Sequence, residues 1–87
     1  MKENVLRGVD LLDEKVPDWR KRIDSESLNM VDLCLLKQLF GYYGSGLLEL
    51  KIGWNIQKAV YYGFDVRTQS EKSKKWNELT QLWKEQL

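Results

Sequence analysis

The run LCLLKQLFGYYGSGLLEL, Leu33 to Leu50, constrains this chain more than any other segment. Tyrosines aside, its only polar side chains are Lys37, Gln38, Ser45 and Glu49. A membrane span needs about 20 consecutive apolar residues. Here Lys37 stands inside the run, and Gly41, Gly44 and Gly46 interrupt it. The segment is therefore expected to form two core helices joined by a tight turn. From about Val31 to Tyr43 apolar residues fall on nearly every side, which describes a helix packed all round by others. "GSG" reads as the break, with Ser45 as N-cap of a short helix over Leu47–Lys51.

The flanking sequence fits the same class. Val5, Val9, Leu12 and Val16 recur at helical spacing, with Leu6 and Leu11 widening the stripe and Asp10, Asp13 and Glu14 on the wet side. Pro17 ends that helix, because the residue before a proline is pushed out of the α region. "PDWRKRI" is compatible with a further helix that has Trp19 and Ile23 on one side. "DSESLN" at 24–29 reads as a turn rich in capping residues. Asn55 is placed to cap "NIQKAVYY". Gly63 falls where a left-handed residue ends a helix, with Phe64 folding back onto it. Residues 65–70 read as a linker turn, and Thr68 to Glu71 has the spacing of a capping box. A last helix to about Gln86 follows, with Trp76, Leu79 and Trp83 as its buried stripe and Glu71 and Lys75 pairing on its other face. No run alternates with period two between hairpin turns. The expectation is one all-α domain over residues 1–87, a compact bundle of about five short helices, with Trp19, Leu36, Leu39, Phe40, Trp76, Leu79 and Trp83 in its core.

At 87 residues and 31% charged side chains, the chain has the composition of a small folded domain. Its net charge is +1 and is spread along the chain, so no strong field points to a nonspecific nucleic-acid or membrane binder. Cys34 is the single cysteine. It cannot form an intrachain disulfide or a cysteine-rich zinc site, and it reads as a small buried hydrophobe. The first residues, MKENVLRGVD, lack the apolar segment of a secretory signal, which gives a cytoplasmic expectation. The chain has no histidine, so it lacks the commonest general base near neutral pH and the commonest metal ligand. "GSGLLE" fails the dinucleotide fingerprint at Glu49, and no Walker lysine is present. Neither an enzyme nor a cofactor nor a metal site is expected.

What remains points to binding. "GYY" at 41–43 and "VYYGF" at 60–64 set paired tyrosines beside glycines. Adjacent helical residues point about 100° apart, so one tyrosine of each pair is expected to reach the surface. Tyr42, Tyr43, Tyr61, Tyr62 and Trp54 are the candidates for an aromatic face that grips a protein. A helical DNA-binding regulator is the alternative, with Arg20, Lys21, Arg22, Lys72, Lys74 and Lys75 as phosphate contacts. For it, Ala59 and Gly63 have the spacing of a helix-turn-helix, but Gln69 stands where that motif requires a buried aliphatic. A third reading is a sponge for a nucleotide signal, which requires a pocket lined by the tyrosines with a cation such as Lys37 inside it. Homodimerisation stays open.

The chain resembles a group of small proteins encoded by bacteriophages and prophages of Gram-positive bacteria. The residues that carry the likeness are Leu12-Asp13-Glu14, Pro17-Asp18-Trp19, Ile23-Asp24, Cys34-Leu35-Leu36-Lys37-Gln38-Leu39-Phe40-Gly41, Gly46-Leu47-Leu48, Gly63-Phe64-Asp65 and Leu79-Thr80 with Trp83. They span nearly the whole chain, and the pattern departs at Lys37, where glycine is more usual. The resemblance transfers no activity, ligand or catalytic residue. It implies a phage accessory protein in a bacterial host cell that binds and modulates or inhibits a host or anti-phage defence component.

Overall fold

The N-terminal stripe forms the helix its spacing demands. In a computed structural model, which describes residues 1–67 and 72–87 (of 72 and 73 the backbone alone), helix α1 runs Lys2–Lys15. It buries Val5, Val9 and Leu12 and leaves Leu6 exposed. Val16 leaves the helical region ahead of Pro17, at φ −139° and ψ 71°, and the chain then makes a short 3-10 turn at Trp19–Arg22 rather than an α-helix. Trp19 is fully buried there, with its indole N–H donating to Asp13 at 2.8 Å. That bond ties the turn back onto α1.

Helix α2 is Leu35–Phe40 and α3 is Tyr43–Glu49, which corrects the expected boundaries in two ways. Residues 31–33, expected at the start of the helix, are not helical and belong with 29 and 30 to a loop. Asn29 and Leu33 exchange two backbone hydrogen bonds, and the Met30 N–H donates to the Thr80 hydroxyl at 3.0 Å, so the segment is a loop pinned to the last helix. The break also falls at Gly41, which ends α2 at φ +82°, and not at "GSG". Gly44 and Gly46 lie inside α3, where Ser45 caps nothing and Tyr42 is the N-cap residue. Two glycines weaken a helix by propensity alone, but here both are contact surfaces. A Cβ on Gly46 would come within 2.8 Å of Leu36 Cβ and 2.9 Å of Phe40, so its absence lets α2 and α3 pack at close range.

Helix α3 closes on a left-handed residue, Lys51, at φ 62°. The Ile52 N–H donates to the Leu47 carbonyl and the Lys51 N–H to the Leu48 carbonyl, the paired bonds of a Schellman ending. Helix α4, Ile56–Tyr61, carries the expected signals at both ends. The Asn55 side chain accepts from the Lys58 N–H at 3.0 Å. Gly63 is left-handed at φ 75°, and the Phe64 N–H reaches back to the Ala59 carbonyl at 2.8 Å.

Helix α5, Lys72–Lys84, fills the centre. Its Trp83 is fully buried, stacked on Phe64 with ring centroids 5.5 Å apart and edge-on to Trp19 at 5.9 Å. The Trp83 indole N–H donates to the Gly63 carbonyl at 2.6 Å. Helix α1 packs against α4 and α5, and α2 against α3 and the 3-10 turn. The expected core is largely present, with Phe40 and Trp76 at its margin rather than inside it. Among the described residues there is no strand, and no helix is long and apolar enough to cross a membrane. The expected capping box at Thr68 to Glu71, the Glu71–Lys75 pair and Gln69 lie outside the described residues.

Candidate functional site

The five aromatic candidates fall into two groups. Tyr42, Tyr43 and Trp54 gather around α3 and the start of α4. Tyr61 and Tyr62 stand at the end of α4 against α1. In each tyrosine pair one ring is open and one is held. Tyr42 is 61% exposed while Tyr43 is half-buried, and Tyr61 is 50% exposed while Tyr62 packs against the core. The second group is occupied internally. Arg7 lies over the Tyr61 ring at 4.0 Å and donates from Nε to the Tyr61 carbonyl at 3.0 Å, and the two tyrosine rings meet edge-on at 5.1 Å.

The first group builds a surface. Trp54 is 70% exposed, and its ring lies on the backbone of α3 at Gly44, beside the Tyr42 ring. Leu48, 56% exposed, stands one turn further along that face of α3, since residues four apart share a helical face. Ile56, 41% exposed, lines a groove of about 220 Å³ with Trp54, Leu47 and Tyr43. Four of the eight exposed large apolar side chains among the described residues are thus neighbours on one face. Leu48 and Ile56 were not singled out from the sequence. The spacing Gly44 to Leu48 and the nearness of Ile56 to Trp54 were the available signals.

At the edge of this face sits the one buried charged group among the described residues, Asp65, with 2% exposure. Its Oδ2 accepts from the Tyr43 hydroxyl at 2.8 Å and from Arg67 Nε at 2.8 Å, with Arg67 Nη2 at 2.7 Å. Its Oδ1 accepts from the Arg67 backbone N–H at 2.8 Å. Burial pushes the carboxyl up, but the hydrogen bonds from Arg67 and Tyr43 outweigh it and hold Asp65 below the usual carboxylate range. Burial, then the bond to Asp65, pushes the Tyr43 phenol up. Arg67 borders two hollows, the Trp54 groove and a larger cleft of about 280 Å³ whose lining includes Lys37, Cys34, Tyr43 and Trp76. Neither Asp65 nor Arg67 was marked as a site residue from the sequence. An acid and a base two apart carry no burial signal, and only the fold puts Tyr43 beside them.

Cys34 is buried, as expected of it, and burial pushes its thiol up. Its sulfur also caps α2, accepting from the Lys37 N–H at 3.4 Å. No group of three or more potential ligands among the described residues is placed to hold a metal ion.

The basic candidates are divided and partly occupied. Arg20 donates to Asp13 at 2.9 Å and to the Gln86 carbonyl at 2.9 Å, and lies over the Trp19 ring at 4.5 Å. Arg22 donates to the Leu39 carbonyl at 2.7 Å, satisfying the end of α2. Lys21 is exposed. Lys74 is exposed and Lys75 half-buried near the start of α5, and the side chain of Lys72 lies outside the described residues. The Arg20 turn meets the far end of α5, so roughly 15 Å of helix separates the two clusters. Helix α4 ends at Tyr61 and residues 62–67 are not helical, which is already longer than the three- to four-residue turn of a helix-turn-helix. Compared with protein-family models, curated proteins and solved structures, the chain matches none.

Proposed function

We propose that this chain is a protein-binding domain that grips its target through the Trp54 face, and that the target is a host or anti-phage defence protein which it modulates or inhibits. The observation that carries the reading is the placement of Trp54. A tryptophan 70% exposed on a glycine of a packed helix, flanked by Tyr42, Leu48 and Ile56, is an aromatic anchor with an apolar surround. Tryptophan and tyrosine dominate binding energetics because they bury a large area for little loss of side-chain freedom. The phage setting of the target rests on the sequence resemblance. The DNA-regulator reading draws less support, since Arg20 and Arg22 have structural acceptors and the two basic clusters lie apart.

The test is capture of the tagged protein from a Gram-positive lysate, identification of a stoichiometric partner, and measurement of its affinity with the purified pair. Trp54→Ala is expected to weaken that affinity about thirtyfold or more, as hot-spot truncations do, with the melting temperature unchanged within about 2 °C. A partner that Trp54→Ala and Tyr42→Ala bind as well as the parent overturns the reading. So does a homodimer in sedimentation that Trp54→Ala dissolves, because the face then belongs to a second copy.

A further inference from the structure

The cleft on the other side of Arg67 has a different character from the Trp54 face. It encloses about 280 Å³ between α2, the 29–33 loop and the first half of α5, close to the lower limit of small-molecule sites. Met30 and Cys34 give it an apolar floor, and Trp76 and Tyr43 give it aromatic walls. Its charged lining is Lys37, Arg67, Asp32 and Asp65, and these four are not equivalent. Asp65 Oδ2 accepts from the Tyr43 hydroxyl and from Arg67 Nε, which also brings Nη2 to 2.7 Å, and Oδ1 accepts from the Arg67 backbone N–H. At 2% exposure and paired with Arg67, Asp65 acts as a buried anchor for that guanidinium. The Arg67 side chain is half-exposed, and its Nη1 keeps no acceptor among the described residues. A guanidinium held this way loses little freedom on gripping an anion. Lys37 is exposed with no ion pair among the described residues, and Asp32 is exposed at the rim.

We propose that this cleft binds a small planar anion, an aromatic ring carrying one phosphate or carboxylate, with the ring against Trp76 and Tyr43 and the anionic group between Arg67 and Lys37. Aromatic faces hold a flat ring by stacking, and a fixed guanidinium matches a phosphate or carboxylate edge. The inference is independent of the Trp54 reading, because Trp54 does not line this cleft and Trp76 and Lys37 do not line the other.

The experiment is an NMR titration of the whole protein with adenosine monophosphate, adenosine, inorganic phosphate and indole-3-acetate. The expected result is saturable shifts at Lys37, Tyr43, Arg67 and the Trp76 indole with the charged aromatic probes. Adenosine and phosphate alone should bind about tenfold more weakly or worse, since each lacks one half of the recognition. Tighter binding of adenosine monophosphate than of indole-3-acetate assigns a phosphate source, and the reverse order a carboxylate. Lys37→Gln, at an exposed side chain, is expected to weaken binding about tenfold with an unchanged melting temperature. Arg67→Gln is expected to abolish it, but also removes the partner of Asp65, which is why Lys37 carries the test. Absence of shifts at millimolar probe, shifts confined to Trp54 and Ile56, or an affinity indifferent to Lys37→Gln overturns the proposal.

Discussion

The hydroxyl of Tyr43 donates to the buried carboxylate of Asp65 at 2.8 Å, joining the first turn of α3 to the segment after α4 across 22 positions of sequence. Tyr43 is therefore a structural member of the aromatic set, unlike Tyr42 beside it. Tyr43→Phe is expected to cost about 1 kcal/mol in denaturant unfolding at neutral pH, and Tyr43→Ala more. Binding lost in Tyr43→Ala consequently says little about the surface, whereas binding lost in Tyr42→Ala does.

The same carboxylate sets an acid limit on stability. Its folded-state pKa lies below its unfolded value. The stabilisation it supplies is present above the unfolded carboxylate pKa, near 4, and is lost as pH falls through the folded value. Asp65→Asn is expected to be less stable than the parent by roughly 1–3 kcal/mol at pH 7. The gap should narrow steadily as unfolding is repeated below about pH 4. A gap independent of pH would mean that the Arg67 and Tyr43 bonds do not favour the charged form.

Lys51 holds a conformation that a side chain disfavours, at φ 62°, while closing α3. Its side chain is exposed. Lys51→Gly is expected to stabilise the protein by about 0.5–1 kcal/mol, because relief of left-handed strain exceeds the added freedom of the unfolded chain. Equilibrium unfolding in urea reads this directly. A loss of stability would place some other contact of Lys51 above its backbone geometry.

Two buried helical glycines make opposite predictions. A Cβ at Gly8 would collide with the Tyr62 carbonyl oxygen and come within 2.8 Å of the Trp83 ring. Neither neighbour is free to move, since Trp83 is fully buried and bonded. Gly8→Ala is expected to destabilise by about 2 kcal/mol or more. A Cβ at Gly44 meets chiefly the ring of Trp54, which is exposed. Gly44→Ala should change stability by less than about 1 kcal/mol, the helix preference for alanine offsetting the displaced contact. Thermal melts of the pair separate the two cases.

The elements legible in the sequence are those whose signals are local. The α1 stripe, the Asn55 cap and the Gly63–Phe64 ending are each written within a few residues, and the structure forms them there. The α2–α3 boundary was misread because glycine is punctuation by propensity, and only the approach of Leu36, Phe40 and Trp54 makes Gly44 and Gly46 packing positions. The 29–33 loop carries an apolar pattern that suits a helix, but Thr80 on α5 takes the Met30 N–H, a partner 50 positions away. For the site, the paired tyrosines beside glycines announced one open ring in each pair, and Trp54 was a candidate, but which tyrosine is open was not legible. Nor was the Asp65–Arg67–Tyr43 cluster, because burial of a charge depends on a partner that only the tertiary fold supplies.

The contacts of α1 decide when the molecule can form. Asn4 donates to the Val60 carbonyl, Gly63 lies against the Val5 backbone, and Gly8 receives the ring of Trp83. A ribosome releasing this chain therefore exposes α1 long before any surface exists to cover Val5, Val9 and Leu12. At synthesis rates of roughly 5–20 residues per second, that apolar stripe waits several seconds for residues 60–83, open to chaperones and to other nascent chains. Folding of this domain is in that sense timed by the arrival of Trp83.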